Sequence, residues 1–378
     1  MDILIIGCGI SGSVVARQLA EQGHQVEVWE RRDHIGGNMY DYTDEHGFLV
    51  QKYGPHTFHT AKKGLYDFIC KYEDWQDYRL TCGAVWDGKY TPTPFNFTTI
   101  DTFYPKGKAE LLKQKLRKAF AGQKTATVLE VLKHPDLEIR GYGEYLFQND
   151  YAPYTAKQWG VSTQEIDPAI LQRVPLRFSY LEGYFDDPYQ VMPVHSYTGF
   201  FKNLLNHPNI TIKLNTDALQ YLSIKNNQIC LNGTLYKGRV IYTGALDELF
   251  GCVYGRLPYR SLRFEWKYSE VDNLQPAPVV AYPQEEGYTR ITEYKKLPVQ
   301  EKPGTSYAVE YPLPYSEGEE MEPYYPVLTT ESKEKYQKYR LLAEKVPGLF
   351  CCGRLADFKY YNMDEALENA QTLCERLY

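Results

Sequence analysis

The plainest chemistry near the start of the chain lies in Gly7-Cys8-Gly9-Ile10-Ser11-Gly12. A G-x-G-x-x-G run that ends a strand and opens a helix is suited to a dinucleotide pyrophosphate. Gly7 then makes the tight turn, Gly9 lets backbone approach the phosphates, and Gly12 lets helix and strand pack closely. Amides at the helix start, around Ser11, donate to phosphate oxygens, and the partial positive charge there favours the anion. Glu30, about 20 residues on, offers a carboxylate to ribose hydroxyls.

That chemistry needs a βαβ unit, and the flanking pattern supplies one. Ile3 to Ile6 reads as a short buried strand, Val14, Val15 and Leu19 as a helix face, and Val26 to Glu30 as a second strand. From Lys106 to Tyr154 the pattern turns helical, with Leu111, Leu112, Leu116, Phe120, Val128, Val131, Leu132, Tyr145, Leu146 and Phe147 as its apolar positions. Arg173 to Tyr197 and Tyr259 to Tyr311 are rich in Tyr, Val, Phe, Thr and Pro, a composition that, apart from the prolines, favours antiparallel strands. A meander over Ile210 to Leu231 leads into a parallel-type strand, Arg239 to Gly244, and Gly348 to Gly353 reads as another. The last helix carries Met363, Leu367, Ala370, Leu373 and Leu377 on one face.

Composition narrows the function classes. The 378 residues are 43% hydrophobic and 24% charged, ordinary for a globular protein of two or three domains. A net charge of -6 gives no footprint for nucleic acid, which is not expected as a partner. No apolar run approaches the roughly 20 residues that span a bilayer. The first residues lack the basic region of a signal peptide, so a cytoplasmic location is expected. The eight cysteines form no C-x-x-C pair, and neither a metal site nor a disulfide framework is expected. Most of the 35 tyrosines are read as packing residues, but tyrosine also stacks on sugars and bases while offering a hydroxyl.

Gly36-Gly37-Asn38 follows Glu30 closely, after Arg31 and Arg32. A paired glycine there resembles the FAD-specific extension of the large flavoprotein family that contains amine oxidases. The same resemblance points the N-terminus of the last helix, near Asn362-Met363-Asp364, at the flavin ring, where it would favour negative charge on the reduced ring. The expected fold is α/β. An FAD-binding Rossmann-like domain (1–80, 205–250, 330–378) carries a helical insertion domain (98–165) and an antiparallel β-sheet substrate domain (81–97, 166–204, 251–329).

Further motifs run the length of the chain: Tyr53-Gly54-Pro55-His56-Thr57-Phe58-His59-Thr60, Pro94-Phe95-Asn96, Tyr154-Thr155-Ala156-Lys157-Gln158-Trp159-Gly160, Arg173-Val174-Pro175-Leu176-Arg177-Phe178, Tyr288-Thr289-Arg290-Ile291, Tyr324-Tyr325-Pro326-Val327, Gly353-Arg354-Leu355 and Lys359-Tyr360-Tyr361-Asn362-Met363. Through them the sequence resembles the UDP-galactopyranose mutase family, which interconverts the pyranose and furanose forms of UDP-galactose. The resemblance implies reduced FAD used without net redox, with flavin N5 attacking the anomeric carbon as UDP leaves. It implies a UDP-sugar substrate, a homodimer, and NAD(P)H or another transient reductant.

Residue by residue, the resemblance gives Arg173 and Arg290 to the diphosphate, whose oxygens suit a planar guanidinium fork. Tyr184, Tyr325 and Tyr360 match substrate-binding tyrosines, the last two at the diphosphate. Trp159 looks like the gate beside uridine and sugar. Tyr154 and Phe185 resemble uracil-stacking and pocket-lining aromatics, and Thr155 and Asn96 belong to the same substrate set. His59 resembles the histidine beside flavin N5, a candidate for catalysis with the two arginines. His56, Thr57, Phe58 and Arg354 look like flavin contacts, with Asp217, Thr243, Gly244, Asn362 and Met363 completing the cofactor set. A segment from Gln164 to Leu176 is expected to close over substrate and bring Arg173 with it. Asn362 stands where the family commonly has aspartate, which removes a negative charge near flavin and diphosphate.

Two rivals share the fingerprint. A flavin amine oxidase or desaturase explains Gly7 to Asn38 and the closing helix, but not two diphosphate arginines or the K-Q-W-G run. A non-catalytic module like the Rab GDP-dissociation inhibitors would carry no FAD. The sugar is left open among galactose, N-acetylgalactosamine and deoxy-sugar nucleotides, with His59 leaning toward galactose.

Overall fold

The computed structural model describes residues 2–160, 174–316 and 321–377. Alternation within the first strand, Asp2–Ile6, organises the dinucleotide-binding part. Ile3 and Ile5 enter one core with Val14, Val15, Leu19, Leu367 and Leu373. Leu4 and Ile6 enter a second core with Val240, Tyr242, Tyr339 and Leu349 on the opposite side. A sheet covered on both faces favours parallel strands. The observed order is Ile210–Lys213, Gln25–Trp29, Asp2–Ile6, Arg239–Tyr242 and Leu349–Cys351, every pair parallel. Both ends of the chain and a middle piece therefore build one sheet.

The second large sheet has seven strands, in the order Tyr325–Pro326, Tyr259–Ser269, Thr305–Pro314, Arg290–Glu293, Val279–Ala281, Cys82–Trp86 and Lys89–Thr93. Its pairs are antiparallel except one: Val279–Ala281 runs parallel to Cys82–Trp86. Those two strands come from distant parts of the chain, which frees them from the hairpin constraint that imposes antiparallel pairing.

The helical block contains Phe97–Phe103, Lys106–Ala119, Val128–Leu132, Leu137–Leu146 and Ala152–Trp159. Its core joins Leu112, Leu116, Val131, Ile139 and Leu146 to Trp86 and Phe95 from outside the block. Leu111 is exposed, although the apolar pattern includes it. Lys113 takes the inward side instead, with its ammonium held by Asp101 at 2.7 Å, Glu110 at 2.6 Å and the Tyr180 hydroxyl at 2.8 Å.

Between 174 and 197 the expected run of strands is replaced by two short ones, Leu176–Arg177 and Tyr189–Pro193, in separate small sheets. Pro175, Pro188 and Pro193 have no N–H for a ladder, and Gly183 sits at φ +112°. A helix not expected from the sequence, Tyr197–Leu205, follows with Ser196 as its cap and buries Phe200, Phe201, Leu204 and Leu205.

Close packing at the first turn yields a test. A Cβ on Gly12 would lie 2.0 Å from the Gly7 carbonyl oxygen and 3.2 Å from Ile5 Cγ2. Gly12→Ala is expected to lower stability by about 2–3 kcal/mol, read from the urea midpoint. An unchanged midpoint would show that the turn relaxes without cost.

Candidate active site

Gly7 follows the first strand at φ +101°, and a Cβ there would meet Thr243 Oγ1 at 2.1 Å. A Cβ on Gly37 would come 2.8 Å from Gly9 Cα, so the two backbones lie against one another. The helix Ile10–Glu21 starts without a side-chain cap, which leaves first-turn amides to face the cleft. Glu30, almost buried, accepts hydrogen bonds from the amides of Cys8 (2.8 Å) and Arg32 (3.0 Å). A glycine cradle, an uncapped helix start and a fixed carboxylate together fit a dinucleotide. The cofactor residues expected from the sequence all line this cleft except Thr57 and Phe58. Phe58 is buried in the core, and the buried Thr57 hydroxyl has no partner among the described residues.

Glu322 also lines the cleft. It reaches across from the chain before the Tyr325–Pro326 strand, pairs with Arg32 at 2.9 Å and also bonds Arg31. Arg32 lies 4.3 Å from the Tyr53 ring centroid and donates to Asn38 Oδ1 at 2.9 Å. Burial alone would raise the Glu322 pKa; the bond and charge of Arg32, then of Arg31, hold it below the ordinary carboxylate value.

His56 stands between this cleft and the substrate side. Its Nδ1 donates to the Gly54 carbonyl at 2.8 Å, which makes Nε2 the unprotonated nitrogen of the neutral ring. Loss of solvent pushes its pKa down to about 4, against the Gly54 bond and with help from Arg354 and Arg290. The ring is therefore neutral at pH 7.

On the substrate side, Arg290 donates through Nε and Nη2 to one Glu310 oxygen, both at 2.8 Å. Burial would disfavour the arginine's charge; Glu310 outweighs it and lifts the pKa above its ordinary value. Tyr325 and Tyr360 stack at 5.6 Å, with Trp159 6.1 and 6.5 Å from them. The Arg354 guanidinium lies over both tyrosine rings, 5.3 and 4.9 Å from their centroids. Burial, then Tyr360, push the Tyr325 pKa up to about 12, so its hydroxyl remains a donor at neutral pH. Tyr154 is within electrostatic reach of Arg290, Glu310, Tyr184 and Tyr325, and Thr155 is buried beside it on the same helix.

Two expected residues, His59 and Asn96, sit differently. His59 is not part of the cleft wall: it stacks on Phe185 at 3.6 Å and bonds Asp187 Oδ2 through Nδ1 at 2.8 Å. Tyr184 meets Phe185 edge-on at 4.9 Å. Asn96 is buried as the cap of helix Phe97–Phe103, its amide engaged by Thr98 N (2.8 Å) and Leu181 O (3.3 Å). Arg173 and residues 164–172 of the expected closing segment lie outside the described residues. Sequence reading missed Glu310 and Glu322, whose partners are distant in the chain, and Arg260. The Arg260 guanidinium is buried and caps the C-terminus of helix Ala152–Trp159 through the carbonyls of Gln158 (3.1 Å) and Lys157 (3.2 Å).

A family model described as UDP-galactopyranose mutase matches residues 149–360. A second, for an NAD(P)-binding Rossmann-like domain, matches 5–71. A UDP-galactopyranose mutase of Mycoplasma pneumoniae is 34% identical over 100% of this chain and 96% of its own length. A dTDP-fucopyranose mutase of Escherichia coli is 36% identical over 100% and 98%. Among solved structures, one of reduced UDP-galactopyranose mutase superposes with a TM-score of 0.76 at 17% identity, covering 100% of this chain and 95% of the other, which establishes the shared fold.

The Glu322 contact predicts a cofactor phenotype. Glu322→Gln keeps the shape and removes the charge that joins Arg31 and Arg32. Flavin release, followed by recovery of free-flavin fluorescence, is expected to quicken about fivefold, equivalent to about 1 kcal/mol. Release at the wild-type rate would leave the contact a surface ion pair without consequence.

Proposed function

The chain belongs to the UDP-galactopyranose mutase family, whose members are isomerases, and from that premise we propose that it interconverts UDP-galactopyranose and UDP-galactofuranose. One observation carries the reading. Arg290 acts on Tyr325, Trp159 lies beside the stacked Tyr325 and Tyr360, and Arg354 covers that pair while also walling the dinucleotide cleft. A nucleoside diphosphate and a flavin would meet there. When bound and reduced, FAD supplies a nucleophilic N5 at the anomeric carbon with no net redox.

The chain's own residues supply placement and charge. Arg290 receives the diphosphate, on which negative charge grows as the glycosyl bond breaks. Glu310 holds the guanidinium in place through two hydrogen bonds to one oxygen and leaves the remaining Arg290 donors for phosphate. The hydroxyls of Tyr325 and Tyr360 donate to the same oxygens. Arg173 belongs to this set by its motif. Trp159, Tyr154, Thr155, Tyr184 and Phe185 form the uridine and sugar walls. His59 orients Phe185 through the stacked contact. Neutral His56 offers an acceptor nitrogen beside the flavin end. Glu30 takes the adenosine ribose, and Arg31 closes that end with Glu322. The reading also carries a homodimer in the cytoplasm and NAD(P)H or another transient reductant. Among the described residues no helix is long and apolar enough to cross a membrane.

The test is incubation of the FAD-loaded, dithionite-reduced protein with UDP-galactofuranose, followed by chromatography. Conversion to the pyranose form is expected, and none with oxidised FAD. A parallel arm with dTDP-fucofuranose separates the two named relatives, and turnover of that sugar alone would overturn the galactose assignment. Arg290→Ala is expected to reduce kcat by about 10²–10³-fold with FAD retained. Near-normal turnover in that variant would remove Arg290 from the diphosphate site.

A further inference from the structure

Lys157 lies within the K-Q-W-G run, yet the functional reading gives it no task. Its place is unusual. An ammonium has three N–H donors, and the Lys157 donors go to three backbone carbonyls of one turn: Tyr282 at 2.7 Å, Glu285 at 2.6 Å and Tyr288 at 2.9 Å. Among the described residues all of its hydrogen bonds go to backbone carbonyls and none to a carboxylate. Removal from solvent lowers its pKa, against the charges of Glu285 and Asp150. A half-buried cation without a paired anion is costly unless its donors are satisfied, and here the turn satisfies all three.

The two sides of this contact both bear on the substrate cleft. The turn 282–288 closes the hairpin in which Ala281 pairs with Arg290, and Tyr282 N bonds the Thr289 carbonyl at 2.8 Å. Its carbonyls and the Arg290 backbone therefore move as one body. Lys157 stands on helix Ala152–Trp159, between Tyr154 and Trp159. Arg260 holds the C-terminal end of that helix through the carbonyls of Lys157 itself and Gln158, and a Cβ on Gly160 would come 2.4 Å from Arg260 Nη1. Asn149 and Gln284 add a weaker bond across the same seam, at 3.3 Å.

We propose that Lys157 is a positioning residue: its ammonium clamps the 282–288 turn to the helix and so presets the gap between Arg290 and the Tyr154–Trp159 wall for a nucleoside diphosphate. The proposal rests on the reading that such a ligand binds there. The clamp needs a compact tetrahedral donor. Guanidinium is planar and cannot direct three N–H groups to a tripod of carbonyls. Methionine fills the space of the stem and leaves the carbonyls without a donor.

The experiment measures UDP affinity by calorimetry on the FAD-loaded chain and its K157R, K157M and K157A variants. All three are expected to bind UDP about tenfold more weakly, with FAD content and flavin spectrum unchanged, as a small misplacement of binding groups requires. K157A is expected to regain affinity with ethylammonium chloride and not with tetramethylammonium chloride, which has equal charge and no N–H. Wild-type affinity in K157R would show that charge alone matters and would overturn the clamp. Wild-type affinity in K157M would overturn it too, as would equal recovery of K157A in both salts. A wild-type chain that binds no UDP would sink the functional reading first, and the clamp's purpose with it.

Discussion

The structure depends on how closely backbone can approach backbone where Gly9 lies against Gly37 and Gly12 against Gly7. A side chain at Gly12 or Gly37 would hold those segments apart, and the helix start could not face the cleft. The same turn ties the first strand to Arg239–Tyr242, since Thr243 bonds the Ile6 carbonyl through both its amide (3.0 Å) and its hydroxyl (2.7 Å). The two ends of the chain meet at this turn, because a Cβ on Gly353 would come 3.0 Å from Ser11 Oγ. Arg354 follows directly, and through it the cofactor cleft connects to the aromatic pair Tyr325 and Tyr360.

Around that turn, cations are held in two different ways. Arg290 and Arg32 each meet a carboxylate, which fixes the guanidinium and offsets part of its desolvation. Among the described residues, Arg260 and Lys157 are held by carbonyls alone. Carbonyl contacts fix position without neutralising charge, so the helix they secure keeps positive charge near its C-terminus, where the dipole favours it. Arg354 joins the second group, since its guanidinium donates to the carbonyls of Tyr361 (2.6 Å) and Tyr324 (3.3 Å), so carbonyl contacts also orient a cation proposed to touch the cofactor.

Legibility in the sequence followed interaction range. The fingerprint was readable because each glycine answers to a local constraint and the strand–turn–helix context is contiguous. The helical block was readable from its periodicity, though Leu111 and Lys113 exchanged sides because a three-partner cage made burial of the lysine tolerable. Strands were overread between 174 and 197, where β-favouring composition competes with prolines that cannot join a ladder. At the candidate site, motif resemblance identified residues but not their partners. Glu310 and Glu322 have ordinary local surroundings, and their meaning comes from arginines 20 and about 290 positions away. Asn96 shows the converse, since a short motif can mark a helix cap as readily as a ligand contact.

Asn362 gains its meaning from this charge arrangement. It precedes the helix Met363–Leu377, and its amide donates to Glu365 Oε2 at 2.7 Å, so the helix start is stabilised by its own first turn. An aspartate here would add a negative charge close to Arg354 and the stacked tyrosines. With asparagine, the charge that Arg290 and Arg354 place at this corner is balanced chiefly by Glu310. Two consequences follow from the same field. His56 is kept neutral, because a second proton would face both arginines as well as the cost of burial. The proposed diphosphate, as a multiply charged anion, would complete the balance, whereas a neutral or cationic substrate would leave Glu310 as the main counter-charge. Asn362 adds no negative charge here, which suits the anionic ligand proposed for this corner.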